Sequence, residues 1–286
     1  MIQYLACFYL LINFTTPNAY FNYHQVINEA THASYQKKYT KADSLFQEAV
    51  KLVETPFPKD YAFAVKNALD LKDFDKAFLY LKTGIQLGLS KEKIEKKSWF
   101  SIIQIREEWF LLEKEYPVLW QKYESQFETE LRQITLEIYH RDQNFRLNGG
   151  KDFDKDNLER LKKIIAEKGY PSYHQIGRDI DLNLVFHHFS PEDNQKYFYK
   201  ILKKAISTGD ISPYEYGAII DYDQIKKGEL LIYGTYFKTI DGIRYLQPVQ
   251  DFDAIDKRRK SIGLEPIEQF MTKFDIVYDP NLMKFF

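Results

Sequence analysis

Four chemically matched positions recur at an offset of 35 residues near the start of this 286-residue chain. Tyr39, Ala42, Phe46 and Ala49 return as Phe74, Ala77, Leu81 and Gly84. A fixed period of this size constrains the fold more than any other feature, because each copy must be a unit that buries its apolar face only against a neighbour. Within each copy the spacing is helical: small residues stand where two helices approach closely, and an aromatic or leucine one turn away fills the gap. Each copy therefore supplies half of a helical hairpin. Val26, Ala30 and Ala33 give the segment Tyr23 to Gln36 a complementary face for the first, and Tyr61, Ala64, Val65 and Ala68 do the same for Asp60 to Leu71 in the second. Pro56 and Pro58 punctuate the link between the hairpins.

The period and the placement of small and aromatic residues resemble tetratricopeptide repeats, helical hairpins with a period of about 34 residues. The resemblance covers residues 23–89 and implies a mode of packing rather than a chemistry. Two copies fall short of the three or so that stabilise a free-standing array. Residues 98–126 hold Trp99, Phe100, Ile103, Trp109, Phe110, Leu112 and Trp120 and are expected to cap it. Residues 23–126 are thus predicted as one helical unit.

From Glu128 the character changes. Leu131, Ile134, Ile138 and Phe145 mark a long helix that stops at Asn148, Gly149 and Gly150. Asp154 or Asp156 caps a second, Leu158 to Glu167, closed by Gly169 and Pro171. Further helices are predicted at Ile176 to His188, Pro191 to Thr208 and Pro213 to Lys227. Leu230 to Phe237 and Ile243 to Val249 are rich in β-branched and aromatic residues and flank Asp241 and Gly242, a favoured hairpin turn. A lone hairpin is not stable, so it must lie on the helices. Asp251 to Ser261 and Pro266 to Lys273 read as closing helices. The chain is therefore predicted to be mainly α: a tetratricopeptide-like array, then a helical domain over residues 127–286 with one small β-hairpin at about 230–249.

Several residues of the second part share an order and spacing with a known group. They are Asp142, Gln143 and Arg146; Asn157; Gly169 and Pro171; His188 and Gln195; Asp221; Tyr233, Gly234 and Thr235; and Asp256, Arg258, Arg259, Gly263 and Leu264. The pattern resembles an uncharacterised bacterial family labelled only as a domain of unknown function, found in secreted proteins and behind helical repeats. That resemblance implies a fold and a domain boundary and brings no activity with it. The sequence departs from the family at His187, which is more usually an amide, and at Leu231, where a polar residue often precedes the Tyr-Gly-Thr run.

Asp142 and Arg146 are four apart and share a helix face. With Gln143, His188, Asp221, Arg258 and Arg259, the domain owns an imidazole, carboxylates to orient it and guanidinium groups to hold an anion. The catalytic candidates are His188, Asp142 and Asp221. The candidates for binding substrate are Gln143, Arg146, Tyr233, Thr235, Arg258 and Arg259. The competing expectation is that the same groups form a buried hydrogen-bonded network tying the hairpin to the helices. Asp152, Asp154 and Asp156 alternate like the start of a calcium loop, but Asn157 replaces the turn glycine and Lys163 stands where a bidentate Glu is required. His187 and His188 are adjacent and so lie on different faces of a helix. Phosphate-cradling loops, dinucleotide fingerprints and nucleophile elbows do not occur. Neither a metal nor a cofactor is expected.

Lysine plus arginine (40) and aspartate plus glutamate (41) nearly cancel, which removes the positive field that nucleic-acid binding needs. The single cysteine, Cys7, permits neither an internal disulfide nor a cysteine-based zinc cluster. Tyr4 to Ile12 is an unbroken apolar run, followed by Thr15, Thr16, Pro17 and Ala19, the order of a secretory signal over residues 1–19. The run is too short for a membrane span, which needs about 20 apolar residues. Export to the periplasm or beyond is the expectation; a cytoplasmic protein with a buried first helix is the alternative. Two functions stand open, the first expected and the second its alternative. One is a non-catalytic interaction protein offering its helical array to a protein or peptide. The other is a hydrolase with His188 as base, Asp142 or Asp221 orienting it, and Arg146 or Arg259 holding an anionic group. The oligomeric state is not legible. For export, intact-mass measurement on protein from its native cell should show a chain lacking Met1 to Ala19; an N-terminus at Met1 or Ile2 would contradict it.

Overall fold

The computed structural model describes residues 19–149 and 151–279. The predicted signal segment, apart from Ala19, lies outside them. Among the described residues the chain is mainly helical, with one small three-stranded sheet.

Helices α1 (Ala19–Tyr35) and α2 (Tyr39–Ala49) form one hairpin, and α3 (Pro58–Asp70) and α4 (Phe74–Gln86) form the next. The 35-residue offset reappears in the backbone. Lys37 and Lys72 both take positive φ, 60° and 61°. Beside them, Lys38 N donates to Ala33 O and Asp73 N to Ala68 O, each at 2.9 Å. The matched side chains are equivalent too: Ala42 and Ala77 are fully buried, and Phe46 and Leu81 fill the space beside them. At Gly84 a Cβ would lie 3.2 Å from the Cβ of Tyr61, so α3 and α4 approach too closely for a larger residue. Short helices α5 (Lys91–Glu95) and α6 (Phe100–Ile103) lead into α7 (Glu107–Glu124), which packs on α4 and adds Trp109, Leu112 and Leu119 to the same core.

The second half runs α8 (Thr129–Asn148), α9 (Asp154–Lys168), α10 (Tyr173–Ile176), α11 (Leu182–Phe186) and α12 (Pro191–Asp193). A π-helical turn over Asn194–Phe198 then opens α13 (Tyr199–Thr208), and α14 (Pro213–Lys227) follows. Strand β1 (Phe237–Ile240) pairs antiparallel with β2 (Ile243–Leu246), with Ile240 opposite Ile243. The connecting Asp241 and Gly242 have φ of 49° and 81°, the double positive φ of a two-residue hairpin turn. After α15 (Ile255–Lys260) and α16 (Ile267–Phe274), strand β3 (Ile276–Val277) runs parallel to β2. Apolar side chains of α8, α9, α11, α13 and α14 share one core, and a smaller core lies beneath the sheet.

Three local expectations are corrected. The helix expected over Ile176 to His188 is broken into α10 and α11, because Gly177 turns the chain at φ 88° and Asp181 caps a new start by accepting from Asn183 N at 3.0 Å. Of the strand expected over Leu230 to Phe237, only Phe237 is in β1; Leu231 makes a single bridge to Val249, and the N–H groups of Ile232, Tyr233 and Thr235 go to Asp221 rather than to a ladder. Strand β3 was not foreseen.

The two halves meet through α1. Asn28 Nδ2 donates to Gly263 O at 3.0 Å. The ring of Tyr20 lies against Gly209, where φ is 77° and any Cβ would collide with it. His24 sits at this seam, packed against the rings of Tyr23 and Phe57, with Nε2 buried and unpartnered. Burial, then the nearby Lys59 ammonium, lower its pKa to about 3 from 6.5. The unfolded chain takes up this proton below about 6.5, whereas the folded chain refuses it until about 3. The contribution of His24 is therefore full above about 6.5 and is withdrawn as pH falls, by on the order of 1.4 kcal/mol per unit. Denaturant melts at pH 7 and pH 5 should show a steeper loss for the parent than for His24→Leu; equal slopes would contradict this.

Candidate functional site

The site is built at the end of a short helix. Helix α11 stops at Phe186, and its last carbonyls need partners that the helix cannot supply. Asn194 Nδ2 donates to Phe186 O at 2.8 Å, and Lys226 Nζ donates to His187 O at 3.1 Å and also to Phe189 O. Both donors are held by Asp223, which is fully buried and also accepts from Tyr199 Oη at 2.8 Å. Asn194 can reach both because it opens the π-helical turn, a widening common at functional positions. This framework fixes the turn that carries His188.

On the facing helix, α8, Asp142 is 1% exposed. Both of its oxygens lie within hydrogen-bond distance of His188 Nδ1, at 2.8 and 2.9 Å. Gln143 Nε2 donates to Asp142 Oδ2 at 2.7 Å, and Arg146 Nη2 stands 3.9 Å from Oδ1 while pairing with Asp154. Four residues singled out from the sequence are thus brought together: His188, Asp142, Gln143 and Arg146. The His188 side chain is 25% exposed, and its Nε2 has no hydrogen-bond partner among the described residues. A carboxylate only accepts, so the proton of the neutral ring is assigned to Nδ1, leaving the Nε2 lone pair outward.

The adjacent His187 differs. Its ring packs on Tyr222 with centroids 4.4 Å apart, and its Nε2 lies 3.4 Å from Tyr236 Oη. Burial first, then His188 and Lys226, lower its pKa to about 4, so it is a neutral packing residue near pH 7.

The other five candidates lie elsewhere, in a separate network. Asp221, fully buried, accepts from Ile232 N, Tyr233 N, Thr235 N and Thr235 Oγ1 at 2.8 to 2.9 Å. Burial raises its pKa above the ordinary carboxylate value, and these donors oppose the rise. Arg259, also fully buried, donates to Glu265 O and Tyr233 O, both at 2.6 Å, and Arg258 Nε donates to Ile232 O at 2.8 Å. Gly234 completes the loop at φ 64°, where a Cβ would stand 3.0 Å from Ile255 Cδ1. Asp221, Tyr233, Thr235, Arg258 and Arg259 thus hold backbone in place, and no hydrogen bond or ion pair among the described residues joins them to His188. Sequence reasoning missed Asn194, Tyr199, Asp223 and Lys226. Only the three-residue spacing of Asp223 and Lys226 hinted at a pair, and a π-helical turn has no sequence signature. Among the described residues no three His, Cys, Asp or Glu side chains converge to hold a metal ion.

Fold and site define a mainly helical protein that sets an aspartate-buttressed histidine at a helix end. Residues 128–282 match the Family of unknown function (DUF6624), which is more than half of the 286 residues, and the chain belongs to that family. No curated protein and no solved structure matched the chain.

Asp221→Ala removes the acceptor of three buried donors and one part-buried donor. Each stranded group costs about 1–3 kcal/mol, so the expected loss is about 3 kcal/mol or more, read as a lower denaturant midpoint. A midpoint within about 0.5 kcal/mol of the parent would mean that Asp221 is not a structural anchor.

Proposed function

We propose that the C-terminal half is a hydrolase whose general base is His188, acting on a small substrate with an anionic group. One observation carries this reading: a fully buried carboxylate meets His188 Nδ1 with both oxygens, while Nε2 is left without a partner on a partly exposed ring. Oriented in this way, Nε2 takes a proton from water as the water attacks the ester carbon or phosphorus, Asp142 stabilises the imidazolium that forms, and the imidazolium returns that proton to the alcohol as the ester bond breaks. Gln143 and Arg146 restrain the carboxylate from its other side. Arg146 engages Asp154 through Nη2, so its remaining N–H groups can meet an anionic group of the substrate.

The test is turnover of a panel of small carboxylic and phosphoric esters by the parent, His188→Ala and Asp142→Asn. General-base catalysis contributes about 10²–10⁴-fold. The parent should turn over at least one member, and His188→Ala should lose at least about 100-fold while melting near the parent. A large fall in melting temperature for His188→Ala, with no turnover by the parent, would return the pair to a structural role.

A separate observation favours a second role for the N-terminal half, that of an exported interaction protein built on tetratricopeptide-like hairpins. Helix α7 leaves Phe110, Leu111 and Val118 exposed, and Ile105 just before it is 78% exposed. Apolar side chains gathered on one terminal helix mark a surface that a protein or peptide covers. The equivalent turns at Lys37 and Lys72 support the repeat reading. Export rests on the apolar run at the N-terminus. A pull-down from envelope and soluble fractions with parent and Phe110→Ser/Val118→Ser should recover a partner with the parent alone; equal recovery would remove α7 from the interface.

A further inference from the structure

Away from His188, three distant stretches of chain converge on a cavity of about 290 Å³. Lys59 comes from the first turn of α3, Lys93 from α5, Lys96 and Lys97 from just beyond it, and Arg178 from the turn after α10. The lining holds these five cations and no carboxylate. The protein as a whole carries a formal charge of −1, so this local excess is not a sample of its average surface.

Four of the five have no salt-bridge partner among the described residues. Lys96 pairs with Glu92, but Lys59, Lys93, Lys97 and Arg178 form no ion pair within 4 Å among the described residues. The carboxylates that sense these cations, Asp60, Asp181 and Glu215, lie behind the wall and do not line the cavity. Partial enclosure, then repulsion from Lys93, lower the pKa of Lys97 below the ordinary lysine value. Like charges gathered at this range repel, and the arrangement persists only because rigid backbone places them.

That rigidity is visible at Arg178. Its N–H donates to Tyr123 Oη at 2.7 Å, and the adjoining Asp179 receives a two-pronged contact from Arg132 at 2.9 and 2.7 Å. The Arg178 guanidinium stacks over Tyr173 at 4.6 Å, and its Nε is buried without a partner. Gly88 forms part of the wall at φ 100°, where a Cβ would overlap the Tyr123 ring. The turn that presents Arg178 is therefore held before any ligand arrives, which reduces the ordering cost of binding.

We infer that this cavity binds a soluble, multiply charged phosphate compound. Several ammonium groups beside a guanidinium suit clustered phosphate oxygens better than a lone carboxylate, which would leave most of the cations unneutralised. The volume falls at the small end of the roughly 300–1,000 Å³ of small-molecule sites, and the concave shape favours a small molecule over a duplex or a flat membrane. The inference does not depend on the hydrolase reading.

The test is isothermal titration of the full chain with inorganic tripolyphosphate at low ionic strength, where exposed charges are least screened. The parent should bind one equivalent saturably. Lys93→Glu/Lys97→Glu, both at exposed positions, should weaken binding at least tenfold without changing the circular-dichroism melt, and Arg178→Gln should weaken it too. Lys200→Glu/Lys203→Glu, which changes charge equally on α13, should bind like the parent. Equal loss in that control pair, or an unsaturable response, would overturn the site in favour of diffuse attraction. Co-sedimentation with phosphatidylglycerol vesicles that tripolyphosphate fails to displace would overturn the soluble ligand in favour of a membrane surface.

Discussion

A carboxylate with no exposed surface must find donors for its oxygens, and Asp221 finds them in one short loop. Three backbone N–H groups and one hydroxyl between Ile232 and Thr235 converge on it. That demand gives the loop its shape, and the rest of the C-terminal half follows from the shape. The loop carbonyls face the other way and are taken by Arg258 and Arg259, which anchors α15. Asp256, from the same helix, accepts from Ile267 N at 2.7 Å and so fixes the start of α16. Strand β3 then pairs beside β2. The polar residues of this region hold backbone to backbone, and substrate is not needed to explain them.

The same accounting separates a second group of candidate residues. Around His188 the framework of Asn194, Asp223 and Lys226 meets carbonyls at the end of α11, but the imidazole it presents has a partner on one nitrogen only among the described residues. Asp142 is buried and His188 is partly open, so the pair joins an inside charge to an outside base. Around Asp221 all four contacts to the carboxylate are made, although Arg259 Nη2 beside it is buried without a hydrogen-bond partner among the described residues. An incompletely satisfied imidazole beside a buried acid is the arrangement that acid–base chemistry uses.

How much of this was legible depended on the range of the interaction. Helix α14 could be read as Pro213 to Lys227 because its signals are local: Ser212 and Glu215 form a capping box, Pro213 stands in the first turn and Gly228 ends it. The Asp241-Gly242 turn was equally local. The segment before β1 looked like a strand from its aromatic and β-branched residues, but Asp221, ten or more residues earlier, claims its N–H groups and overrides that preference. The break after Ile176 turns at Gly177 and is also tied by Arg132, 44 residues away, bonding Ile176 O. At the site, helical spacing linked Asp142, Gln143 and Arg146, but the meeting with His188 joins residues 46 apart. The same spacing argument could not separate Asp221 from them. The basic cavity draws on α3, α5 and the turn after α10, so no window of sequence contains it.

The orientation of the His188 ring tests the central claim most directly, since the whole distinction between a structural network and a reactive pair rests on which nitrogen faces Asp142. Long-range proton–nitrogen NMR on ¹⁵N-labelled protein, recorded at a pH where the ring is neutral, reports which nitrogen carries the proton. The account requires His188 protonated at Nδ1 with a bare Nε2, and a loss of that tautomer preference in Asp142→Asn. A ring protonated at Nε2, unchanged in Asp142→Asn, would contradict it.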